Sequence, residues 1–418
     1  MINQRNIIRL YQAELIIFAF LLPIYRKVIP YAIAMIIITW FFDGDLTAKI
    51  KRVMNSSHRT NLLLFAGIYI LYLIGLSYSD NFGTGLFNLE VKLSLFIFPV
   101  MFASIRKEVL SLKISRRVLT SFVFGVFASM LLCYSVAFFE YAQNGNVETF
   151  YYSSLSVLIH PSYLAMYVCF AIAVLLYYNL KAYIRGRLNI ILSMILVLLF
   201  QLFVVMLSSK AGILGLILVI ALFSAYTIFS EKRLLTGLFS GFVLSVSFLI
   251  LFFLFPASSA RFEQTREVLE QAEVGGAEVA NSTGERIMIW YYTFEITNEN
   301  FLFGVGTGDV IDHLLSKYNE KGMRNAFDLQ LNAHNQYLQT FLALGIVGLI
   351  VLLLTLLLPA IFSVEQRHYL YLMFLVLISF NFLFESMLET QAGVVFYAFF
   401  NAYFFSIKKD PVSPETGS

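Results

Sequence analysis

Charge is what this sequence has least of. Lys, Arg, Asp and Glu make up 13% of its 418 residues, about half of the roughly 25% found in soluble domains. That is too little polar side chain to cover a globule of this length in water. Proline is scarce as well, at 8 residues, and the apolar residues run in continuous blocks instead of alternating, which argues against a membrane β-barrel. The two cysteines, Cys133 and Cys169, are too few for a disulfide framework. Both sit inside apolar runs and read as small lipophilic side chains; a disulfide between neighbouring helices is the alternative. The first apolar stretch continues into a second without a small-residue cleavage site, so no cleavable signal is expected.

What the sequence has in abundance is hydrophobic length. Apolar residues account for 59% of the chain and the mean hydropathy is +0.78. Spanning a bilayer takes roughly 17–25 mostly apolar residues, and helices satisfy every backbone group within the segment. The expected fold is therefore an all-α polytopic membrane protein with about 12 transmembrane helices. The expected helices lie at 11–24, 28–42, 61–78, 86–104, 118–139, 161–178, 188–206, 211–229, 234–255, 333–358, 368–384 and 391–407. Helices 1–9 would occupy 1–255, a large periplasmic loop 256–332, helices 10–12 the stretch 333–407, and a cytoplasmic tail 408–418.

Orientation follows from the cations. Arg5, Arg9, Lys49, Lys51, Arg52, Arg106, Lys107, Arg116, Arg117, Lys181 and Arg185, among others, fall in segments on one side. The short loops 77–85 and 140–160 on the other side contain no Lys or Arg. The positive-inside rule then puts both termini in the cytoplasm. The long loop between the ninth and tenth helices reads as two helical stretches, Arg261–Ala272 and Glu285–Thr297, the second with Ile287, Trp290, Tyr291 and Phe294 on one apolar face. A glycine cluster, Gly304–Gly308, follows.

Three polar features are hard to explain as packing. Lys210, after Ser208 and Ser209, stands at or just inside the outer bilayer boundary, where a cation needs a partner or must snorkel; a Ser/Lys nucleophilic pair is a further reading. Arg286 lies one turn before Trp290. His334, between Asn332 and Asn335, stands where the loop re-enters the membrane, and histidine suits proton transfer near neutrality. Each also has an ordinary reading, as a snorkelling lysine, a surface arginine and a helix cap. Arg261 and Arg266 sit among Glu263, Glu267 and Glu270, which suggests i,i+4 pairing on a solvated helix. His160, starting the sixth helix with Pro161, either lines a substrate path or simply begins a helix. Glu385 and Glu389 either meet sugar hydroxyls or are solvated loop acids, the latter favoured.

Other signals fail on context. Gly304–Gly308 lacks the Lys-Ser/Thr and the preceding strand of a nucleotide loop, and a turn joining two loop helices is the better reading. Asp43-Gly44-Asp45 is a bare acidic pair beside lysines. His160, His313 and His334 share the outer side without metal-ligand spacing, so no metal and no cofactor is expected.

The run Gly284-Glu285-Arg286 to Trp290, then Phe303-Gly304-Val-Gly306-Thr-Gly308, then Ala333-His334-Asn335-Gln336-Tyr337, then Leu344-Gly345-Ile-Val-Gly348 resembles the signature of the O-antigen ligase and O-antigen polymerase superfamily. The resemblance implies a glycan transferase of the bacterial inner membrane that needs neither metal nor nucleotide. Its donor would be an undecaprenyl-pyrophosphate-linked glycan. The acceptor would be a lipid A-core sugar in a ligase, or a second lipid-linked repeat in a polymerase. His334 would take the proton of the acceptor hydroxyl, and transfer would proceed with inversion. Arg286 and Lys210 would hold the pyrophosphate; the ligases carry arginine at the second place, and lysine keeps the charge but not the bidentate fork. Arg266, His160, Asn335, Tyr337 and Glu385 are the further candidates for substrate contact. The lack of a basic loop in 140–160 favours ligase over polymerase. A lipid or glycan transporter is the reading from another class, but transporters bind near the bilayer midplane, whereas these polar candidates gather at one face. Partners would be the two glycolipids and membrane lipids, with no nucleic acid.

Overall fold

In hydrocarbon a backbone N–H or C=O has no water to turn to, and the apolar runs accordingly coil into helices. The computed structural model describes residues 4–44, 46–54, 59–181, 184–255 and 282–407. Among these residues there is no β-strand. The helices are α1 (Gln4–Leu21), α2 (Ile29–Phe42), α3 (Leu46–Met54), α4 (Arg59–Leu76), α5 (Phe82–Lys92), α6 (Ser94–Ser104), α7 (Leu112–Asn144), α8 (Tyr152–Leu155), α9 (Pro161–Leu180), α10 (Arg187–Met206), α11 (Lys210–Ala225) and α12 (Leu234–Leu254). They continue with α13 (Ser282–Glu299), α14 (Val310–Glu320), α15 (Arg324–Asp328), α16 (Gln336–Glu365), α17 (Tyr369–Phe382) and α18 (Gln391–Ser406). Seven of the described segments are long and apolar enough to cross a membrane: Phe82–Ser104, Leu112–Asn144, Pro161–Leu180, Arg187–Met206, Lys210–Ser230, Leu234–Leu254 and Gln336–Glu365. An eighth results if α2 and α3, bent by 100°, form one span. The expected stretch Arg261–Ala272 and the tail 408–418 lie outside the described residues.

Two helices form the centre. Every residue of α18 from Ala392 to Phe405 is buried, as is α9 from Pro161 to Tyr178. Between apolar helices in lipid, packing and interhelical hydrogen bonds must supply the attraction. Aromatic rings supply the packing: Phe396 and Phe400 sit against Phe122, Phe170 and Phe374 at centroid distances of 5.1–5.8 Å. Buried hydroxyls supply the bonds, with Tyr167 donating to the Ala392 carbonyl at 2.6 Å and Tyr397 bonded to Thr355 at 2.8 Å.

The feature that positions the site is an interlock. Gly345, inside α16, has φ 63° and ψ −163°, a conformation open essentially to glycine alone. The break it makes exposes carbonyls that the segment 301–306 fills. Val305 N–H donates to Leu342 O at 2.8 Å, Gly306 N–H to Ala343 O at 3.0 Å, and Ile346 N–H to Phe301 O at 2.8 Å. The chain then clamps onto the turn between α4 and α5. Thr307 N–H meets Gly75 O, Gly308 N–H meets the Ser79 hydroxyl, and Asp309 accepts from the Asp80 and Asn81 amides at 2.8 and 2.7 Å. The Gly304 amide bonds Asn300 O, so each amide from 304 to 308 already has a protein acceptor. The glycine cluster is a clasp between helices, and none of those amides is left over for a phosphate.

A Cβ on Gly345 would lie 2.2 Å from Leu302 O, and one on Gly304 2.5 Å from Leu342 O. Gly345→Ala and Gly304→Ala should each destabilise by about 3 kcal/mol or more, strain and overpacking together. Gly322→Ala, with φ +70° but nothing within 4 Å, should lose only its strain, of order 1 kcal/mol. Thermal unfolding in detergent gives the comparison, and equal losses at all three positions would contradict the interlock.

Candidate functional site

The helices α9, α11, α16 and α18 each begin with a side-chain cap: His160, Ser209, Asn335 and Thr390. Their starts gather at one end of the bundle. Ser209 Oγ lies 3.2 Å from Ser162 Oγ, tying the start of α11 to that of α9. Leu388 N–H donates to Gln336 Oε1 at 2.6 Å, tying the turn before α18 to the start of α16. Helix N-termini carry about half a positive charge each, so this end of the bundle favours an anion.

Glu385 stands at the meeting point, in the turn between α17 and α18. It is only 6% exposed, contrary to its reading as a solvated loop acid. From α13, Arg286 reaches over it, Nη1 donating to Phe384 O at 3.0 Å and Nη2 to Glu385 Oε1 at 3.2 Å. The other carboxylate oxygen faces His334 Nδ1 at 3.7 Å, an ionic contact a little longer than a hydrogen bond. Burial alone would raise the Glu385 carboxyl. The His334 imidazole and the Arg286 charge, with His160 behind them, outweigh it and bring it down to about 2.

His334 is held in an uncommon backbone state, φ 46°, which a non-glycine residue adopts at a cost. Three side-chain bonds fix it there: His334 N–H to Asn332 Oδ1, Ala333 N–H to Gln339 Oε1, and Leu338 N–H to Asn335 Oδ1. With Nδ1 turned to Glu385, Nε2 is the nitrogen directed elsewhere. Beside Glu385, Ser386 Oγ is a buried polar atom without a hydrogen bond. Buried polar groups are nearly always satisfied, so it marks unused bonding capacity at the site.

The residues singled out in the sequence thus divide. Arg286, His334 and Glu385 come into contact, and His160 acts on Glu385 while its ring accepts from Ser162 N–H. Lys210 is half-buried at the first position of α11, beside the start of α9. Asn335 caps α16, and the Tyr337 hydroxyl bonds Ser379 O at 2.9 Å; both serve the scaffold. The Ser208 and Ser209 hydroxyls are engaged with Val205 O and with Ser162. Arg266 lies outside the described residues. Asp43 is bound to Arg106 at 2.8 Å. Among the described residues no group of three or more His, Cys, Asp or Glu could hold a metal ion.

One residue escaped the sequence reading. Lys92, 1% exposed, pairs with Glu389 at 2.6 Å and lies over the Tyr72 ring at 4.9 Å. Tyr72 in turn bonds Thr340, and Thr340 bonds Gln336. This network anchors the turn that carries Glu385. The signal was available: a lysine inside the apolar run 86–104 is itself a marker of function or pairing.

Removing Lys92 strands a carboxylate, so Lys92→Ala should cost about 3–5 kcal/mol, whereas Lys92→Met combined with Glu389→Leu should cost far less; thermal unfolding of the purified variants decides. For Glu385 the folded carboxyl lies below its unfolded value of about 4.3. The stability it contributes is therefore present above about pH 4.3 and lost as pH falls through about 2. The stability gap between wild type and Glu385→Gln should close as pH falls from about 4 to about 2. A gap that keeps its neutral-pH size below about pH 3 would contradict the pairing.

Among curated proteins no significant match to the chain was found. Residues 194–353 match the family model described as O-antigen ligase, a stretch running from α10 past the break in α16 and containing Lys210, Arg286 and His334. Over that stretch the chain carries an O-antigen ligase domain, which supports the resemblance to the O-antigen ligase superfamily.

Proposed function

We propose that the protein transfers an undecaprenyl-pyrophosphate-linked glycan to an acceptor sugar, such as that of a lipid A core, on the periplasmic face of the inner membrane. The observation that carries this reading is the contact of His334 and Arg286 with one buried carboxylate at a single end of the bundle. A proton acceptor and a cation stand side by side there, among four helix N-termini.

In this reading Glu385 fixes the His334 ring through Nδ1 and stabilises the imidazolium, leaving Nε2 to take the proton of the acceptor hydroxyl. The hydroxyl oxygen then displaces the pyrophosphate at the sugar carbon, with inversion. Charge builds on the leaving undecaprenyl pyrophosphate, and fixed cations stabilise it. Arg286 spends two N–H groups on Phe384 and Glu385; a guanidinium has five, so the rest of the fork can meet phosphate oxygen. Lys210 would be the second cation. The donor is already activated by its pyrophosphate, so the reaction calls for no nucleotide. The cations of the opposite end, Arg52 and Arg106 about Asp43, suit the cytoplasmic side by the positive-inside rule.

The test is glycan transfer in reconstituted membranes with lipid A-core and a second lipid-linked repeat offered in parallel. His334→Ala should lower the rate by about 10²–10⁴-fold. Glu385→Gln should lower it by roughly 10²-fold through kcat, with the donor KM little changed, as befits a positioning residue. Product on the lipid-linked repeat alone would make the protein a polymerase, and full activity of His334→Ala would end the proposed mechanism.

A further inference from the structure

Helix α13 has apolar residues on two faces, and only one of them is covered. Ile289, Thr293, Ile296 and Thr297 are buried against the bundle. Ile287, Tyr291 and Phe294 point away from it and are 44%, 65% and 52% exposed. At 3.6 residues per turn those three fall within about 60° of one another. The acidic Glu295 and Glu299 occupy a separate sector, and Glu295 is tied to Lys317 of α14 at 3.0 Å. Ile287, Tyr291 and Phe294 thus hold one exposed apolar sector, joined by Asn298 at its C-terminal end, while exposed Met288 lies beside the acidic pair; it is the apolar sector that suits a membrane interface.

The apolar stripe does not end with the helix. Phe301, Leu302 and Phe303 follow it, at 48%, 59% and 64% exposure. The interlock sets them beside the break in α16, whose outward residues Val347, Ile350, Leu357 and Ile361 are exposed along a membrane-spanning helix. On the other side the Tyr78 hydroxyl bonds Phe303 O at 2.7 Å, and Phe82, Leu86 and Phe87 of α5 extend the surface. An apolar area of this extent is far beyond the scattered exposure of a water-facing surface, and it is continuous with helix surface that faces lipid.

We propose that α13 and residues 301–303 are embedded in the bilayer interface, the Ile287–Tyr291–Phe294 stripe lying among lipid acyl chains about 5–10 Å into the headgroup boundary. The occupant of the surface is the membrane itself. Arg286, on the first turn of the same helix, then stands at the depth of lipid phosphates, and the site opens sideways to lipid-borne substrates instead of upward to water.

The experiment attaches an environment-sensitive fluorophore at Tyr291→Cys or Phe294→Cys in nanodiscs, with Glu299→Cys as the water-facing control. Cys133 and Cys169 are buried, and unlabelled wild type verifies that they do not react. The expected result is blue-shifted emission at 291 and 294, quenched by nitroxide carried on lipid chains and protected from iodide, with the reverse at 299. Iodide quenching without nitroxide quenching would place the stripe in water and overturn the proposal. Protection from both would show that protein covers it, which overturns the proposal equally. The readout needs no catalysis, so it stands or falls apart from the transferase reading.

Discussion

A carboxylate that is 6% exposed cannot remain charged at the membrane end of a helical bundle unless cations surround it, and Glu385 shows how much structure that requirement organises. Arg286 comes from α13, His334 from the strained turn before α16, and His160 from the start of α9. These segments lie far apart in sequence and share this one negative charge. Each partner's position therefore depends on the turn between α17 and α18. That turn is held from below by Lys92 on Glu389 and by Gln336 on the Leu388 amide. The polar site thus rests on a second polar layer, and both are fastened to the ends of apolar helices that cross the bundle.

The glycine clasp serves the same end by other means. Breaking α16 at Gly345 leaves carbonyls open at membrane depth, which is tolerable only where protein satisfies them. The amides of 305 and 306 do so, and in doing so they bring the end of α13 against α16. Two separate motifs, around 304–308 and 344–348, are therefore halves of one joint. The joint sets the register of α13, and with it the reach of Arg286.

Much of this was legible in the sequence. The apolar runs fall on helices because hydrocarbon leaves them no alternative, and Lys210, Arg286 and His334 stood out as polar residues without a packing role. Glu385 was harder to judge: a loop acid in one sequence gives no sign of the arginine 99 residues away that covers it. Lys92 was overlooked because its partner Glu389 comes from a distant loop. The break at Gly345 lies within an unbroken apolar stretch, where hydropathy reports membrane depth and carries no information about backbone conformation. What the sequence withheld were long-range pairings, each a meeting of residues whose local context looks ordinary.

We propose that Arg286, His334 and Glu385 form one site for a lipid pyrophosphate at the membrane boundary. A structure of the protein in nanodiscs with an undecaprenyl-pyrophosphate donor bound tests it most directly. The pyrophosphate should lie within hydrogen-bond reach of Arg286 and Lys210, with His334 Nε2 open to an acceptor approaching the sugar carbon and Nδ1 still facing Glu385. Pyrophosphate bound at the other end of the bundle, or His334 turned away from the donor sugar, would contradict it.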